Sequence, residues 1–235
     1  IHPRVATTLG GIATDEHGRA IIGKWSRWFT GLYAAGDAAS SGLHGAGMVA
    51  GNRLLDAMAG GAAAGEHAAN FTSKADFTGR SALETSLGAC EADLDLDMEG
   101  AEGEVLRTSP LFSKLSDIMN GKVSYQRDAE GLSKALRALL SLQEDSKKLH
   151  LDDHSRLFNT NLLEATRLKA GIRLAIATTQ SALARTESRG THQRTDFAQT
   201  DSDWLHHSLV DGEGNTSTLA IRKGSAGNWI LAPEA

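Results

Sequence analysis

The sequence predicts a mostly helical α+β protein in which an antiparallel three-helix bundle lies between two regions of short strands and turns. Leucine and isoleucine recur at helical spacing over residues 132–142 and again over 162–176, and each stripe indicates an amphipathic helix. Turn signals and short apolar runs dominate residues 1–27 and 188–235, which is typical of short strands joined by loops.

The overall composition is that of an ordinary folded protein. The chain has 235 residues, of which 40% are hydrophobic and 23% are charged, enough for one large domain or two small ones. Its net charge of -5 and pI near 6.0 give no reason to expect nucleic-acid binding. The single cysteine, Cys90, excludes an internal disulfide and a cysteine-based metal cluster. The sequence shows no bilayer-spanning apolar run and no signal peptide.

The first two regions read as strands followed by a helix. Residues 1–27 carry turn signals around Gly10 and Gly18, and we predict a hairpin or a strand-rich edge there. Residues 28–72 run from an apolar stretch through a Gly/Ser/His loop into a helix predicted over about 51–67. This helix is rich in Ala and Gly, so it can pack closely against a neighbour, which would be a sheet or a cofactor.

The remaining regions contain the bundle and a C-terminal segment. The acidic residues 73–105 are predicted to be a linker or an exposed insertion. Residues 106–187 should form three helices, with N-caps at Asp128 and at Asp152 or Asp153. In the C-terminal segment we predict a short hairpin that pairs the strand LAIRK with NWILA. The predicted apolar stripes of the bundle consist of Leu111, Leu115, Ile118, Met119, Leu132, Leu136, Leu139, Leu140, Leu142, Leu162, Leu163, Leu168, Ile172, Leu174 and Ile176.

Two stretches carry a family resemblance. Residues 31–69 read GLYAAGDAASSGLHGAGMVAGNRLLDAMAGGAAAGEHAA, and residues 187–209 read ESRGTHQRTDFAQTDSDWLHHSL. The first resembles a segment of the succinate dehydrogenase / fumarate reductase flavoproteins, in which a Gly-acidic pair precedes Gly-Leu-His-Gly-Ala and a helix. The second resembles the C-terminal signature of the same family. The chain therefore resembles the C-terminal portion of such a flavoprotein subunit, with L-aspartate oxidase and the adenylylsulfate reductase catalytic subunit as relatives.

The resemblance implies a division of the chain. Residues 1–27 would end a capping domain, and residues 28–72 would be the last strand and helix of an FAD-binding domain. The linker 73–105, the bundle 106–187 and the C-terminal segment 188–235 would follow.

The resemblance also implies partners. Because the chain starts at Ile1 rather than Met, we expect an N-terminal FAD-binding and capping portion of the same protein to complete it. An iron–sulfur subunit is the expected electron partner and a small molecule the expected substrate. The location would be cytoplasmic, or peripheral at the inner membrane through partner subunits.

The residues expected to bind FAD lie at two places in the FAD-binding region. Gly36 and Asp37 follow a short apolar run, where a carboxylate can accept hydrogen bonds from ribityl or ribose hydroxyls and Gly lets the ring approach. Without the resemblance, the same pair is an ordinary turn. Asn52, Arg53 and Leu54 open the helix, and their N–H groups would point at the flavin pyrimidine edge. Arg53, where the family commonly has Ser, would add charge beside the flavin or turn outward into solvent.

Other polar residues receive weaker roles. His44 and Gly45, in the loop before the helix, are carried as flavin-adjacent residues, although a loop histidine is more often structural. The motif formed by Ser188-Arg189-Gly190, His192 and Arg194 is interpreted as a signature that docks the C-terminal segment on the FAD domain.

Two substrate-pocket positions depart from the resembled family. Its dicarboxylate enzymes have an Arg shortly after Gly-Leu-His-Gly-Ala, where this chain has Met48, and a capping-domain His where this chain has Ala6. A buried dianion needs charged partners, which Met and Ala do not offer. We therefore expect a different, less acidic substrate, or compensation by cations such as Arg4 or Arg53.

Two functions are left open by the sequence. The first is the C-terminal part of an FAD-dependent oxidoreductase that transfers hydride between a substrate and FAD, inactive when isolated. The alternative is a degenerate or truncated non-catalytic subunit whose helical bundle serves assembly or partner binding. A flavin absorbance band distinguishes them, since only the first requires the cofactor.

Overall fold

The computed structural model describes residues 8–22, 27–76, 79–99, 106–155, 157–220, 222–223 and 229–230. The chain divides into two compact units. Unit 1 comprises Ile1–Asp76 and Ala184–Ala235, and unit 2 comprises Phe77–Leu183. The predicted pocket residue Ala6 and the cation Arg4 lie outside the described residues.

Unit 1 begins with short paired strands and a tight turn. The strands are β1 (Ile12–Ala13), β2 (Arg19–Ile22), β3 (Arg27–Tyr33) and β4 (Ala39–Ser40). Strand β2 pairs antiparallel with β3, so this hairpin extends beyond the residues 1–27 for which a hairpin or strand-rich edge was predicted, and β1 pairs in parallel with β4. A single 3₁₀ turn, Gly36–Ala38, connects β3 to β4.

The Ala/Gly-rich helix α1 (Asn52–Thr72) follows the loop and extends beyond its predicted end. Its small residues pack against backbone. A Cβ added at Gly36 would lie 3.1 Å from the Ala57 Cβ, and one added at Gly60 would lie 3.7 Å from the Ala35 Cβ. The close neighbour of this helix face is therefore the turn that carries Gly36, which fixes the distance between α1 and Asp37.

The acidic region predicted as a linker or insertion contains a 20-residue helix, α2 (Arg80–Glu99). The prediction followed polarity alone. However, Ala, Leu and Glu favour the helix whatever their exposure, and Arg80 Nε donates to Glu84 Oε1 one turn later at 2.7 Å. The apolar side chains Leu83 and Leu87 are exposed.

Unit 2 continues with α3 (Thr108–Lys122), the short strand β5 (Gln126–Arg127), α4 (Ala129–Asp145) and α5 (Thr160–Ala184). These three helices contribute to one buried cluster, as the predicted bundle requires, while their antiparallel course stays a prediction. The N-cap prediction at Asp128 is confirmed, because its carboxylate accepts from the Gly131 N–H at 2.7 Å. The buried cluster consists of Leu111, Leu139, Leu142, Leu149, Leu151, Ala165, Leu168, Ile172, Ala175 and Ile176.

Two details of the bundle prediction were wrong. Leu140, Leu163 and Leu174 are exposed. Leu140 and Leu163 each follow an inward-facing Leu, and one step along a helix rotates a side chain by about 100° away from the core.

The second N-cap is Asn159, whose Oδ1 accepts from the Leu162 N–H at 2.8 Å. Asp153 instead accepts from the Ser155 N–H at 2.8 Å in a preceding turn.

The C-terminal segment returns to unit 1 and forms short strands: β6 (Gln193–Arg194), β7 (His206–Val210), β8 (Thr216–Ala220), β9 (Arg222–Lys223) and β10 (Trp229–Ile230). The pairing of β9 with β10 matches the predicted hairpin, and an unpredicted hairpin joins β7 to β8.

None of the helices in the described ranges combines the length and apolarity that a membrane span needs.

Candidate functional site

Asp37 and the first turn of α1 are in direct contact. Arg53 Nε donates to Asp37 Oδ1 and Oδ2 at 3.0 and 2.8 Å, and Arg53 Nη2 contacts the same carboxylate. The hydrogen bond and the charge of Asp37 raise the pKa of Arg53 above its usual value. About half of each side chain is exposed, 57% for Arg53 and 46% for Asp37. The structure therefore brings together two predicted FAD-binding positions.

The first turn of α1 has backbone N–H groups that can donate hydrogen bonds to a ligand. Its N-cap is Gly51, which supplies no side-chain acceptor to the helix. Asn52 N–H donates to the Val49 carbonyl at 3.1 Å, while Arg53 and Leu54 are exposed. The first N–H groups of a helix have no intrahelical acceptor, and the helix dipole favours negative charge beside them. The donors present thus suit an acceptor with partial negative charge, such as a flavin pyrimidine edge.

His44 lies in the loop before α1 and faces an acidic residue of that helix. Its Nε2 is 3.4 Å from Asp56 Oδ2, and both side chains are largely buried. The contact lacks hydrogen-bond geometry, so this buried nitrogen has no hydrogen-bond partner in the described part of the chain. A buried polar atom without a partner is costly, and His44 can therefore offer Nε2 to a ligand. Gly45 closes the same loop by donating its N–H to the Gly42 carbonyl at 3.1 Å.

Met48 ends this loop, between the His44 turn and α1. Its side chain is half-buried, whereas the neighbouring Val49 is exposed. The thioether provides an apolar surface with no charge. The prediction that Met48 lines a substrate pocket, together with Ala6, stays a prediction.

The motif interpreted as a docking signature contacts this loop. Thr191 N–H and Thr191 Oγ1 both donate to the Ala46 carbonyl at 2.8 Å. Gly190 precedes it with a φ of 56°, and a Cβ at that position would lie 2.5 Å from the Ala46 carbonyl oxygen. The C-terminal segment therefore packs on the backbone between His44 and Met48.

A buried carboxylate supports this segment. The Glu187 side chain is fully buried and accepts from Arg189 Nε at 2.8 Å, from Arg185 Nε at 2.8 Å and from the Asp201 N–H at 2.9 Å. Burial alone would raise the pKa of Glu187, but the hydrogen bonds from Arg189, Asp201 and Arg185 outweigh it and lower that pKa from 4.5 to about 2. Glu187 is therefore an ion-paired anion at neutral pH.

Sequence reasoning missed Glu187, Asp56 and Thr191. The sequence did contain a signal for Glu187. Arg185, Glu187 and Arg189 lie two residues apart, and side chains at this spacing share one side of an extended backbone, so the carboxylate can meet both guanidinium groups. For Asp56, the signal was its place one helical turn after Asn52. The contact between Thr191 and Ala46 joins residues 145 positions apart, and no local pattern predicts it.

The pair His206 and His207 belongs to strand β7. Burial, the nearby charge of Arg185 and the neighbouring His206 lower the pKa of His207, so its ring is neutral at physiological pH. In the ranges that the structure describes, no cluster of three or more His, Cys, Asp or Glu side chains could hold a metal ion.

Comparison with known proteins gives two family matches. Residues 112–230, about half of the chain, match the model described as the C-terminus of the fumarate reductase flavoprotein. Residues 1–54 match a model described as an FAD-binding domain. The second match includes Gly36, Asp37 and the first turn of α1.

Individual relatives agree with these models. A fumarate reductase flavoprotein subunit of Mycobacterium tuberculosis is 33% identical over 227 residues, which are 94% of this chain and 37% of that protein. A succinate dehydrogenase flavoprotein subunit of Rickettsia conorii is 34% identical over 211 residues, 88% of this chain and 35% of that protein. The chain thus spans about a third of the length of these curated relatives.

A solved structure shares the fold. Quinol fumarate reductase of E. coli superposes with a TM-score of 0.79 at 30% identity, covering 90% of this chain and 36% of that one. The two family models, the relatives and this fold agree, so the chain belongs to the succinate dehydrogenase / fumarate reductase family of flavoproteins, whose cofactor is FAD.

Proposed function

We propose that this chain forms one side of the active site of an FAD-dependent oxidoreductase that transfers hydride between a small substrate and its flavin. The observation that carries the proposal is the contact between Asp37 and Arg53 at the uncapped N-terminus of α1. It lies within residues 1–54, the range that matches an FAD-binding domain. Bound FAD supplies the hydride acceptor or donor, and this chain supplies groups at one edge of the ring.

Each of these groups has a distinct role in the proposal. The first N–H groups of α1 favour negative charge at the pyrimidine edge, while Asp37 balances the charge of the Arg53 guanidinium. Asp37 holds Arg53 in place, and its carboxylate oxygens retain lone pairs for ribityl or ribose hydroxyls. Gly36 lets α1 pack close to the turn that carries Asp37, since an added Cβ would lie 3.1 Å from the Ala57 Cβ. His44 and Gly45 shape the loop beside it, with His44 Nε2 free to accept or donate a hydrogen bond.

The substrate in this proposal is less acidic than succinate or fumarate. The family's dicarboxylate-binding Arg and His are replaced by Met48 and Ala6, and an unpaired carboxylate in a closed site is costly. Arg53 does not restore the missing charge, because its guanidinium is already paired with Asp37. Met48 would instead provide an apolar wall.

The rest of the protein follows from the same proposal. Because the chain spans about a third of its relatives, a further FAD-binding and capping portion would complete the cofactor site. The division at residues 27, 72, 105 and 187 into capping-domain end, FAD-domain end, linker, bundle and C-terminal segment is proposed on the same basis. Electrons would leave through an iron–sulfur subunit, in the cytoplasm or at the inner membrane. The isolated chain would be inactive.

The test is a visible absorption spectrum of the purified full-length protein, recorded before and after anaerobic addition of succinate. We expect a flavin band that a chemical reductant bleaches and that succinate does not. A colourless, folded protein would support the non-catalytic alternative and reject the oxidoreductase. Bleaching by succinate at the efficiency of an ordinary succinate dehydrogenase would reject the altered substrate preference alone.

A further inference from the structure

Residues 189–192 form a turn, called here the tip of the C-terminal segment. This tip contacts the backbone of the loop between His44 and Met48. The Ala46 carbonyl accepts two hydrogen bonds from Thr191, one from the N–H and one from the hydroxyl, each at 2.8 Å. The Thr191 methyl group also lies beside Gly47, where an added Cβ would be 3.7 Å from Thr191 Cγ2. One residue thus fixes a carbonyl two positions after His44 and two positions before Met48.

The shape of the tip excludes a side chain beside Thr191. Gly190 has a left-handed backbone, with a φ of 56°. A Cβ there would come within 2.5 Å of the Ala46 carbonyl oxygen and 2.9 Å of the Ala46 Cβ. These are backbone and short side-chain atoms that cannot swing aside, so the loop itself would have to move to accept any other residue.

The base of the tip is closed by two backbone hydrogen bonds and by an ion pair. Arg189 N–H donates to the His192 carbonyl at 2.8 Å, and His192 N–H returns a bond to the Arg189 carbonyl at 3.0 Å. Arg189 also pairs with the buried Glu187. The loop, by contrast, is closed by turn hydrogen bonds of 3.1 and 3.2 Å, from Gly45 to Gly42 and from Gly47 to His44.

We propose that Thr191 is a positioning residue of the flavin site, acting through the Ala46 carbonyl to hold His44 and Met48 in place. This inference rests on the proposed function for its consequence, since the loop matters to FAD only if the flavin lies beside it. The contact itself stands on geometry alone. Through this contact the C-terminal segment becomes part of the proposed cofactor site, although the segment is far from the other site residues in sequence.

The experiment uses the full-length protein with Thr191→Val, which removes the hydroxyl donor and keeps the shape and the N–H group. Thr191→Ser retains the hydroxyl. The matched control is Thr200→Val, because the Thr200 hydroxyl donates to the Ser188 carbonyl at 2.7 Å, within the C-terminal segment. Two quantities are measured: amide hydrogen exchange of residues 42–48, and the dissociation constant for FAD added to the deflavinated protein.

We expect Thr191→Val to raise both quantities about fivefold, the factor for losing one neutral hydrogen bond. Thr191→Ser should return both to within about twofold of the parent, and Thr200→Val should leave loop exchange unchanged. Equal effects of Thr191→Val and Thr200→Val would overturn the proposal, as would a change in melting temperature without faster loop exchange. If loop exchange responds and FAD does not bind at all, the contact is supported and the proposed flavin function fails.

Discussion

The guanidinium of Arg53 and the carboxylate of Asp37 neutralise each other at the proposed flavin edge. An Arg at this position, where the family commonly has Ser, therefore does not add an unbalanced charge. Met48 lies between His44 and Arg53 in sequence, and its side chain carries no charge. The side chains of the loop thus support an FAD site with a changed substrate preference.

Met48→Arg should restore recognition of dicarboxylates. A charge-assisted hydrogen bond to a carboxylate contributes about 1.5–3 kcal/mol, so we expect KM for succinate or fumarate to fall by roughly 10- to 100-fold. Steady-state kinetics of the full-length variant measure this. Met48→Leu, which keeps the volume and adds no charge, serves as the control. If Met48→Arg and Met48→Leu behave alike toward dicarboxylates, Met48 does not line the substrate pocket.

Glu187 should make the stability of unit 1 depend on pH. Its pKa is lowered from 4.5 to about 2, so the native state favours the charged form, and the stabilisation is full above 4.5 and lost as the pH falls toward 2. The shift corresponds to about 3 kcal/mol. Glu187→Gln should therefore be destabilised relative to the parent at neutral pH, with the difference shrinking by that amount in acid.

Urea unfolding at a series of pH values measures this difference. The exposed Glu66, replaced by Gln, provides the control for the same carboxylate-to-amide change at the surface. A difference between Glu187→Gln and the parent that stays constant from pH 7 to about 2 would show that Glu187 does not gain its stabilisation as an anion.

At the level of elements, α1 packs closely on the turn that contains Gly36. Gly36 has a φ of 59°, and an added Cβ would lie 3.1 Å from the Ala57 Cβ. The exposed Gly65 of the same helix has open space around it. Replacing Gly65 by Ala therefore tests helix propensity, whereas replacing Gly36 by Ala tests the close approach of α1 to the turn.

Gly36→Ala should destabilise the protein by about 2 kcal/mol, from the left-handed backbone and the contact with α1. Gly65→Ala should stabilise it by about 0.5–1 kcal/mol, because Ala is the better helix former. Denaturant unfolding of both variants measures the change. Two variants that shift stability in the same direction would contradict the packing of α1 on this turn.

The elements differ in how far the sequence determines them. Helix α4 was predictable, because Asp128 caps it and Leu132, Leu139 and Leu142 repeat on one face. Helix α2 was missed because polarity suggested a linker, although its residues favour a helix. The cap at Asn159 was missed because two Asp residues upstream were equally good candidates. The sequence therefore predicts an element correctly where one cap and one apolar repeat agree. It fails where polarity and helix propensity disagree, or where several residues could serve as the cap.

In the whole molecule, α1 has an apolar face that the described part of the chain leaves exposed. Leu54, Leu55 and Met58 are all more than 60% exposed, and large exposed apolar patches mark interaction sites. In the proposed full-length protein, the further FAD-binding portion would cover this face. A charged side chain placed on this face should then lower the free energy of unfolding only in the full-length protein, where the face is covered.

Met58→Lys should lower the free energy of unfolding of the full-length protein by at least ~2 kcal/mol, because it buries an unpaired charge. Leu83→Lys on α2 is the control, since the two side chains are similarly exposed in this chain, 66% and 60%. It should change stability by less than about 0.5 kcal/mol. If both variants are neutral in the full-length protein, the α1 face is not an internal interface.

The site was predictable only in part. The motif around Gly36, Asp37 and His44 is local, so the sequence identifies it. The contact between Thr191 and Ala46 and the closure of Arg53 on Asp37 depend on how distant segments pack. Long-range packing is decided by the whole fold rather than by any one segment, and these contacts needed the structure.

The flavin midpoint potential in Arg53→Ser and Asp37→Asn tests the central claim most directly. Both residues lie at the proposed ring edge, so removing the cation should lower the potential and removing the anion should raise it. The shifts should be on the order of 20 mV each, because solvent screens these exposed charges. The double variant should return close to the parent. Potentials that do not move, or that move in the same direction in both single variants, would contradict the placement of Asp37 and α1 beside the flavin.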